Sequence, residues 1–281
     1  MKRTYTMNRR RAVIAVGGVL AAASHAQVIS SGQPMRLHLV TPSTTTVSLE
    51  DFDRAELGTK LKTQFGPETV MLVNNSDRTI VAARVIWTAP NPMTPGRPRK
   101  VVLDTDAFQN PGMTPVATPN SRTVVGPSVV LSAESGKGYQ NQGTVGAAQH
   151  PAGRFSGNVT VTLDAVMFSD GEVVGPDTRH LAEDITARKT AAAMLLDKVR
   201  KEGGTRQTLQ GVLKASQFTP TSAQEVRVAN ALRDLAQRGL TLVPEPGHGP
   251  QLPPGKRLAS VEQWLLALPQ PPTPFRKENA Q

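Results

Sequence analysis

The sequence predicts an α+β fold, an antiparallel two-sheet β-sandwich followed by a small α-helical region. Three features carry that prediction. Val159, Val161, Leu163, Ala165 and Met167 alternate with Thr160, Thr162 and Asp164, the period of a strand with one buried and one wet face. Such alternation belongs to antiparallel sheets, because parallel strands covered by helices on both sides are apolar on both, so a doubly wound fold is disfavoured. Asp170-Gly171 joins that strand to residues 172–174, and Asp-Gly is among the strongest hairpin signals. Near Asp177 the composition turns from Val, Thr, Gly, Asn and Pro to Ala, Leu, Lys, Arg and Gln, and the apolar period lengthens to that of a helix.

Residues 1–26 read as a secretory signal peptide. Lys2, Arg3, Arg9, Arg10 and Arg11 precede an apolar run from Ala12 to Ala23, and Ser24-His25-Ala26 supplies a small-x-small cleavage pattern. That run is too short to span a bilayer, which takes about 20 residues. Cleavage near Ala26 would start the mature chain at Gln27 and place it in the periplasm or outside the cell. The residues after Arg9-Arg10-Arg11 lack a strong apolar partner, which favours the general secretory route over the twin-arginine one.

Residues 27–178 are expected to form the sandwich. Strand-like runs fall at 36–40, 68–74, 79–88, 100–103, 124–132 and 158–169. The polar stretch Asn74-Asn75-Ser76-Asp77-Arg78 between two apolar runs predicts a hairpin over 68–88. In its second strand Val81, Ala83, Val85 and Trp87 should face the core and Arg84 the other way. Ser48 and Asp51 with Leu49, Phe52 and Leu57 predict a short helix within 48–61. The stretches 89–98, 110–121 and 136–153 are rich in breakers and read as surface loops.

Residues 179–243 read as helical. Leu181, Ile185, Ala192, Leu195 and Val199 line one stripe, which Asp177 or Thr178 can cap and Gly203-Gly204 ends. Leu209, Val212 and Leu213 mark a second, shorter helix. Ser222 with Glu225 forms a capping box before a third, in which Val228, Leu232, Leu235 and Ala236 share a face and Gly239 supplies the stop. None of these stripes can be buried alone, so the helices must pack on each other, on the sandwich or on a partner. Residues 244–281 begin with a proline-rich linker over 244–254, continue in a short helix over 261–268 with Trp264, Leu265 and Leu268 as its contacts, and end in a second proline-rich stretch over 269–274 and a tail.

Composition excludes several functions. With no cysteine the chain has no disulfide, thiolate metal site or cysteine nucleophile. The formal net charge of +10 overstates the working protein, because the five basic residues of the signal have no acidic counterpart, and the mature chain carries +5. That surplus lies in residues 179–243, which hold 11 basic and 6 acidic residues. It suits either an anionic envelope partner or a solvated face whose end charges follow the helix dipole. Aromatic residues make up 4% of the chain, too few for base-stacking platforms, so nucleic acid is not expected.

The candidates for chemistry are few. His38, His150, His180 and His248 contain no pair at metal-binding spacing; His180 and Asp184 share a helix face, and two ligands do not make a zinc site. Asp164, Asp170, Glu172 and Asp177 cluster in sequence but lack the ligand spacing of a calcium loop, and alternation places Asp164 and Asp170 at solvent. Ser135-Gly136-Lys137-Gly138 departs from a phosphate loop twice: Leu131 stands where the first glycine belongs, and Gly138 where Ser or Thr should be. No catalytic, cofactor-binding or metal-binding residue is assigned, and no cofactor is expected.

Val73-Asn74-Asn75-Ser76-Asp77 with Ile80-Val81-Ala82, and Asp170-Gly171-Glu172-Val173-Val174-Gly175-Pro176-Asp177, resemble uncharacterised exported bacterial proteins that carry an immunoglobulin-like β-sandwich. The resemblance covers about half the chain by the spacing of those motifs. It implies an immunoglobulin-like fold rather than a role, and the Cys and Trp spacing of antibody domains is absent. The functional expectation is a secreted or periplasmic, non-enzymatic binding or scaffold module of the cell envelope. Its partner would be an envelope protein or an anionic envelope polymer, and membrane contact would be peripheral at most. The alternatives are an envelope hydrolase with a dispersed site and a membrane-surface protein using the basic helices. Buried ionisable groups converging in a deep cleft would speak for the hydrolase.

Overall fold

The computed structural model describes residues 36–41, 46–51, 67–91, 93–94, 96–109, 114–127, 129–132, 140–141, 155, 157–214, 221–243 and 260–277. The proposed signal, the Ser135-Gly136-Lys137-Gly138 motif, His150, His248, the linker over 244–254 and most of the helix proposed for 48–61 lie outside them. Among the described residues, ten strands form two open sheets. The first contains β1 (Arg36–Val40), β9 (Asn158–Phe168), β4 (Ile80–Ala89) and β5 (Arg99–Asp106) in that order, with β10 (Val173–Val174) also on β9. The second runs β2 (Val47–Glu50), β3 (Val70–Asn74), β6 (Ser121–Gly126), β7 (Val129–Ser132) and β8 (Gln140–Asn141). Among the described residues, the strand pairings are antiparallel except that of β1 with β9. The helices described after them are α1 (Leu181–Glu202), α2 (Arg206–Lys214), α3 (Ala223–Leu242) and α4 (Val261–Leu266).

Three apolar clusters hold this together. Between the sheets, Val47, Leu49, Val70, Leu72 and Val125 of the second meet Ile80, Ala83, Val85, Trp87, Leu103, Val161 and Leu163 of the first. Trp87 is fully buried there, and its Nε1 donates to Glu68 O at 2.9 Å, which satisfies the indole. On the opposite face of the first sheet, Val81, Ala82, Ala165 and Met167 pack against Leu181 and Ile185 of α1. The rest of α1, from Ala187 to Val199, joins Leu209, Val228, Leu235, Trp264 and Leu265 in a helical core. One helix therefore serves two cores, its first turns against the sheet and its later ones in the bundle.

Several expectations are corrected. Residues 68–88 are not a hairpin, because β3 and β4 belong to different sheets. Asn74 makes the crossing: its Oδ1 accepts from Ser76 N and Oγ at 3.1 and 2.6 Å, and its Nδ2 donates to Arg78 O and Thr118 O, both at 2.8 Å. These bonds turn the chain over the core instead of back along its own edge. Residues 47–50 are strand β2, paired with β3, and not the start of a helix. The run 124–132 is two strands, β6 and β7. Gly239 is a buried interior residue of α3, which continues to Leu242. A methyl there would sit 3.2 Å from Leu209 Cδ1, so the glycine serves close helix packing and not termination.

The alternation in β9 does not hold through Met167. Register shifts between β4 and β9 fall at Ile80/Ala82 and at Arg84/Val85, the signature of β-bulges, in which one extra residue sends the following side chains to the other face. Val159, Val161 and Leu163 face the core between the sheets, while Ala165 and Met167 face the helices. Val81 likewise points to the helices, away from Ala83, Val85 and Trp87.

Candidate functional site

Asp164 is 1% exposed, the reverse of the solvent position that alternation assigned it, because residues 177–179 lie over it. Its Oδ1 accepts from Thr178 N and Oγ1 at 2.9 and 2.6 Å, its Oδ2 from Arg179 N at 3.2 Å, and its backbone oxygen from Asp177 N at 2.9 Å. Asp164 thus fixes the approach to α1. Asp177 caps that helix, accepting from Leu181 N and from Ala182 N. Asp170 and Glu172 both bind Arg78, whose guanidinium stacks 3.7 Å from the centroid of Phe168. The four carboxylates that cluster in sequence therefore separate into a loop anchor, a helix cap and an arginine clasp.

A different charged group gathers between the first sheet and α1 and α3. Arg84 does point away from the sandwich core, as its place in β4 dictates, but α1 covers it and leaves its side chain 2% exposed. Its Nε donates to Asp104, the residue directly opposite on β5, its Nη1 to Arg179 O, and its Nη2 to Asp184 Oδ2 at 2.6 Å. Burial alone would lower the pKa of Arg84; Asp104 and then Asp184 outweigh it and hold the value above the ordinary one. Arg227 of α3 donates to the other oxygen of Asp184 at 2.7 Å.

Two residues along β5 advance about 7 Å and one turn of α1 about 5–6 Å, so Asp104 and Asp106 face Asp184 and Arg188 in step. Asp106 is 1% exposed, accepts from Phe108 N and Gln109 Nε2 at 2.9 Å each, and forms an ion pair with Arg188. The Nη1 of Arg188 is shut off from solvent and meets Asp106 without hydrogen-bond geometry, although 28% of the whole side chain is exposed. Burial draws its pKa below the ordinary value, with Asp104 opposing and Arg238 reinforcing the shift. Arg238 closes the row, 2.8 Å from Asp234 and donating to Gln109 O at 3.1 Å.

These groups border a recess of about 560 Å³ walled by Val102 and Asp104 of β5, Asp184 and Arg188 of α1, and Val226, Arg227 and Asp234 of α3. Its volume suits a small ligand. Each carboxylate on the wall is already bound to a guanidinium: Asp104 to Arg84, Asp184 to Arg84 and Arg227, and Asp234 to Arg238. Such a surface offers paired donors and acceptors for recognition. Among the described residues no group of three His, Cys, Asp or Glu side chains could hold a metal ion. His180 turns to Glu183 at 3.2 Å, while Asp184 is taken by the arginines.

No motif in the sequence singles out Asp104, Asp106, Arg188 or Arg227. The usable signal was a pair of acids two apart on a strand matched to an acid and an arginine four apart on a helix. Among the described residues no helix is long and apolar enough to cross a membrane. Comparison with protein-family models, with curated proteins and with solved structures finds no match to this chain.

Proposed function

We propose that this chain is an exported, non-enzymatic binding or scaffold module of the cell envelope, with residues 1–26 as its cleaved signal and an envelope protein or anionic envelope polymer as its partner. One observation carries the reading: the carboxylates facing the recess are all held in arginine pairs, of which Arg84–Asp184 ties α1 to the sheet and Arg227–Asp184 ties α3 to α1, an arrangement suited to a rigid recognition surface. Support for an immunoglobulin-like sandwich comes from the crossing between sheets at β3–β4 and from Trp87 buried on β4, as the tryptophan of strand C is in such domains. The test is a panel of ester, peptide, glycoside and phosphate substrates with the mature protein, alongside affinity capture from envelope extract. Capture of a partner with no turnover supports the module. Turnover abolished by Asp104→Asn, Asp184→Asn or Asp234→Asn would instead establish the hydrolase.

That hydrolase reading is the second one, and the convergence of Asp104, Asp184 and Asp234 on one recess is what favours it. The membrane-surface reading has less behind it, because Arg188, Lys198, Arg200, Lys201, Arg227 and Arg238 are all in ion pairs within the chain.

A further inference from the structure

The outer edge of β10 carries a second built surface. After α4 the chain returns through Pro269, Pro271, Pro272 and Pro274 and lies along that edge, with a parallel bridge between Glu172 and Phe275. Phe275 N donates to Gly171 O at 3.0 Å, and Val173 N donates to Phe275 O at 2.8 Å. Lys277 Nζ lies 2.8 Å from Glu172, and Arg276 lies 3.1 Å from Asp177 and donates to Gly175 O at 3.3 Å. The floor is shaped for a main chain, since a Cβ on Gly171 would stand 2.4 Å from Thr273 O.

Acceptor and occupant differ in how they are held. The side chains of Glu172 and Asp177 are 10% and 3% exposed, whereas those of Arg276 and Lys277 are 50% and 66% exposed. The acids are also held without the tail, Glu172 by Arg78 and Asp177 by the first N–H groups of α1, whereas the bases are laid upon them. A proline-stiffened segment loses little entropy on docking, and backbone bonding to a free strand edge is how sheets recognise extended peptides.

We propose that the β10 edge is an acceptor site for an extended, basic, proline-stiffened peptide, filled in cis by the chain's own residues 271–277, and that the same segment of a second copy exchanges into it. Every contact just described is made by the segment itself, and each copy carries both the segment and the site. Removing the segment would leave Val173 N and Gly171 O unpaired at a sheet edge, the condition that draws in another strand.

The test uses full mature chains in which one half or the other is broken. Arg276→Glu with Lys277→Glu turns the tail against Glu172 and Asp177 and vacates the site; Glu172→Lys spoils the site and frees an intact tail. Expected results are that a labelled peptide of residues 271–277 binds the vacated chain at least about tenfold more tightly than the wild type, where the tethered tail competes, and that mixing the two variants gives a 1:1 dimer by light scattering. Phe275→Pro, which deletes the N–H bonded to Gly171, serves as the vacated chain if the charge reversal does not fold. A mixture that stays monomeric, or a peptide that binds vacated and wild-type chains alike, overturns the proposal.

Discussion

Arg84 on β4 and Asp184 on α1 stand 100 positions apart in sequence and meet through an Nη2–Oδ2 hydrogen bond of 2.6 Å. The helix cannot leave the sheet without stranding a guanidinium whose side chain is 2% exposed. Removing one partner of a buried ion pair costs about 3–5 kcal/mol. Asp104 and Asp184 retain 30% and 24% exposure, which places Arg84→Met at the lower end, about 3 kcal/mol in urea unfolding. Asp184→Asn leaves Arg84 its bonds to Asp104 and to Arg179 O and should cost clearly less. The reverse order would show that the network is not anchored on Arg84.

Asp164 predicts a local effect. Its carboxylate accepts from two backbone N–H groups and the Thr178 hydroxyl, and truncating it leaves donors without acceptors. Asp164→Ala should cost about 2–3 kcal/mol and accelerate amide exchange at Thr178 and Arg179 before the rest of α1. Gly175 sits in the same corner with φ +111°, and a Cβ there would approach Asp164 O to 2.6 Å. Gly175→Ala is therefore expected to destabilise by about 1–3 kcal/mol. Unchanged exchange at 178–179 in Asp164→Ala would mean that the loop holds its shape without the carboxylate.

Much of this architecture was legible in the residues, and the exceptions have a common cause. Local period showed that Val85 and Trp87 share a buried side and that Leu181, Ile185, Leu195 and Val199 line a helix. Period does not show which sheet a strand joins, so the crossing held by Asn74 read as a hairpin. Nor does it show an inserted residue, and the bulge at Asp164 left the apparent alternation intact. Local period places Arg84 on the side of β4 away from the sandwich core, where it lies; that a helix covers that side is a tertiary fact. Gly239 read as a stop because glycine is a poor helix former, yet contact with Leu209 and Val261 requires a residue without a side chain there. The recess was invisible because its acids and arginines come from three elements far apart in sequence.

The clasp at Arg78 predicts a response to acid. Burial raises the pKa of Glu172, but hydrogen bonds from Lys277 and Arg78 outweigh it and bring the value below the ordinary 4.5. Asp170 is likewise brought below 3.8, its burial outweighed by the Glu172 N–H and Arg78. A carboxylate with a depressed folded value adds stability that is complete above its unfolded value and lost as pH falls through the folded one. Stability should therefore hold down to the ordinary carboxylate range and fall beneath it as these groups protonate. Glu172→Gln should flatten that limb in urea midpoints taken across the acid range. A limb of unchanged slope would assign the acid sensitivity to other carboxylates.

Two helical glycines predict opposite signs. Gly211 lies in α2, exposed, and a Cβ added to it meets nothing within 4 Å. Alanine there trades the backbone freedom of glycine for good helix propensity and should stabilise by about 0.5–1 kcal/mol. Gly239 is equally interior to α3, but a Cβ there lies 3.2 and 3.4 Å from the two methyls of Leu209 and 3.6 Å from Val261 Cγ1. A branched side chain would have to displace Leu209, which is fully buried, so Gly239→Val should destabilise by about 1–3 kcal/mol through overpacking. Thermal melts of the two variants check the pair together. If Gly239→Val raised the melting temperature as Gly211→Ala is expected to, helix propensity would outweigh packing at the seam between α2, α3 and α4, and the reading of Gly239 as a close-packing residue would fall.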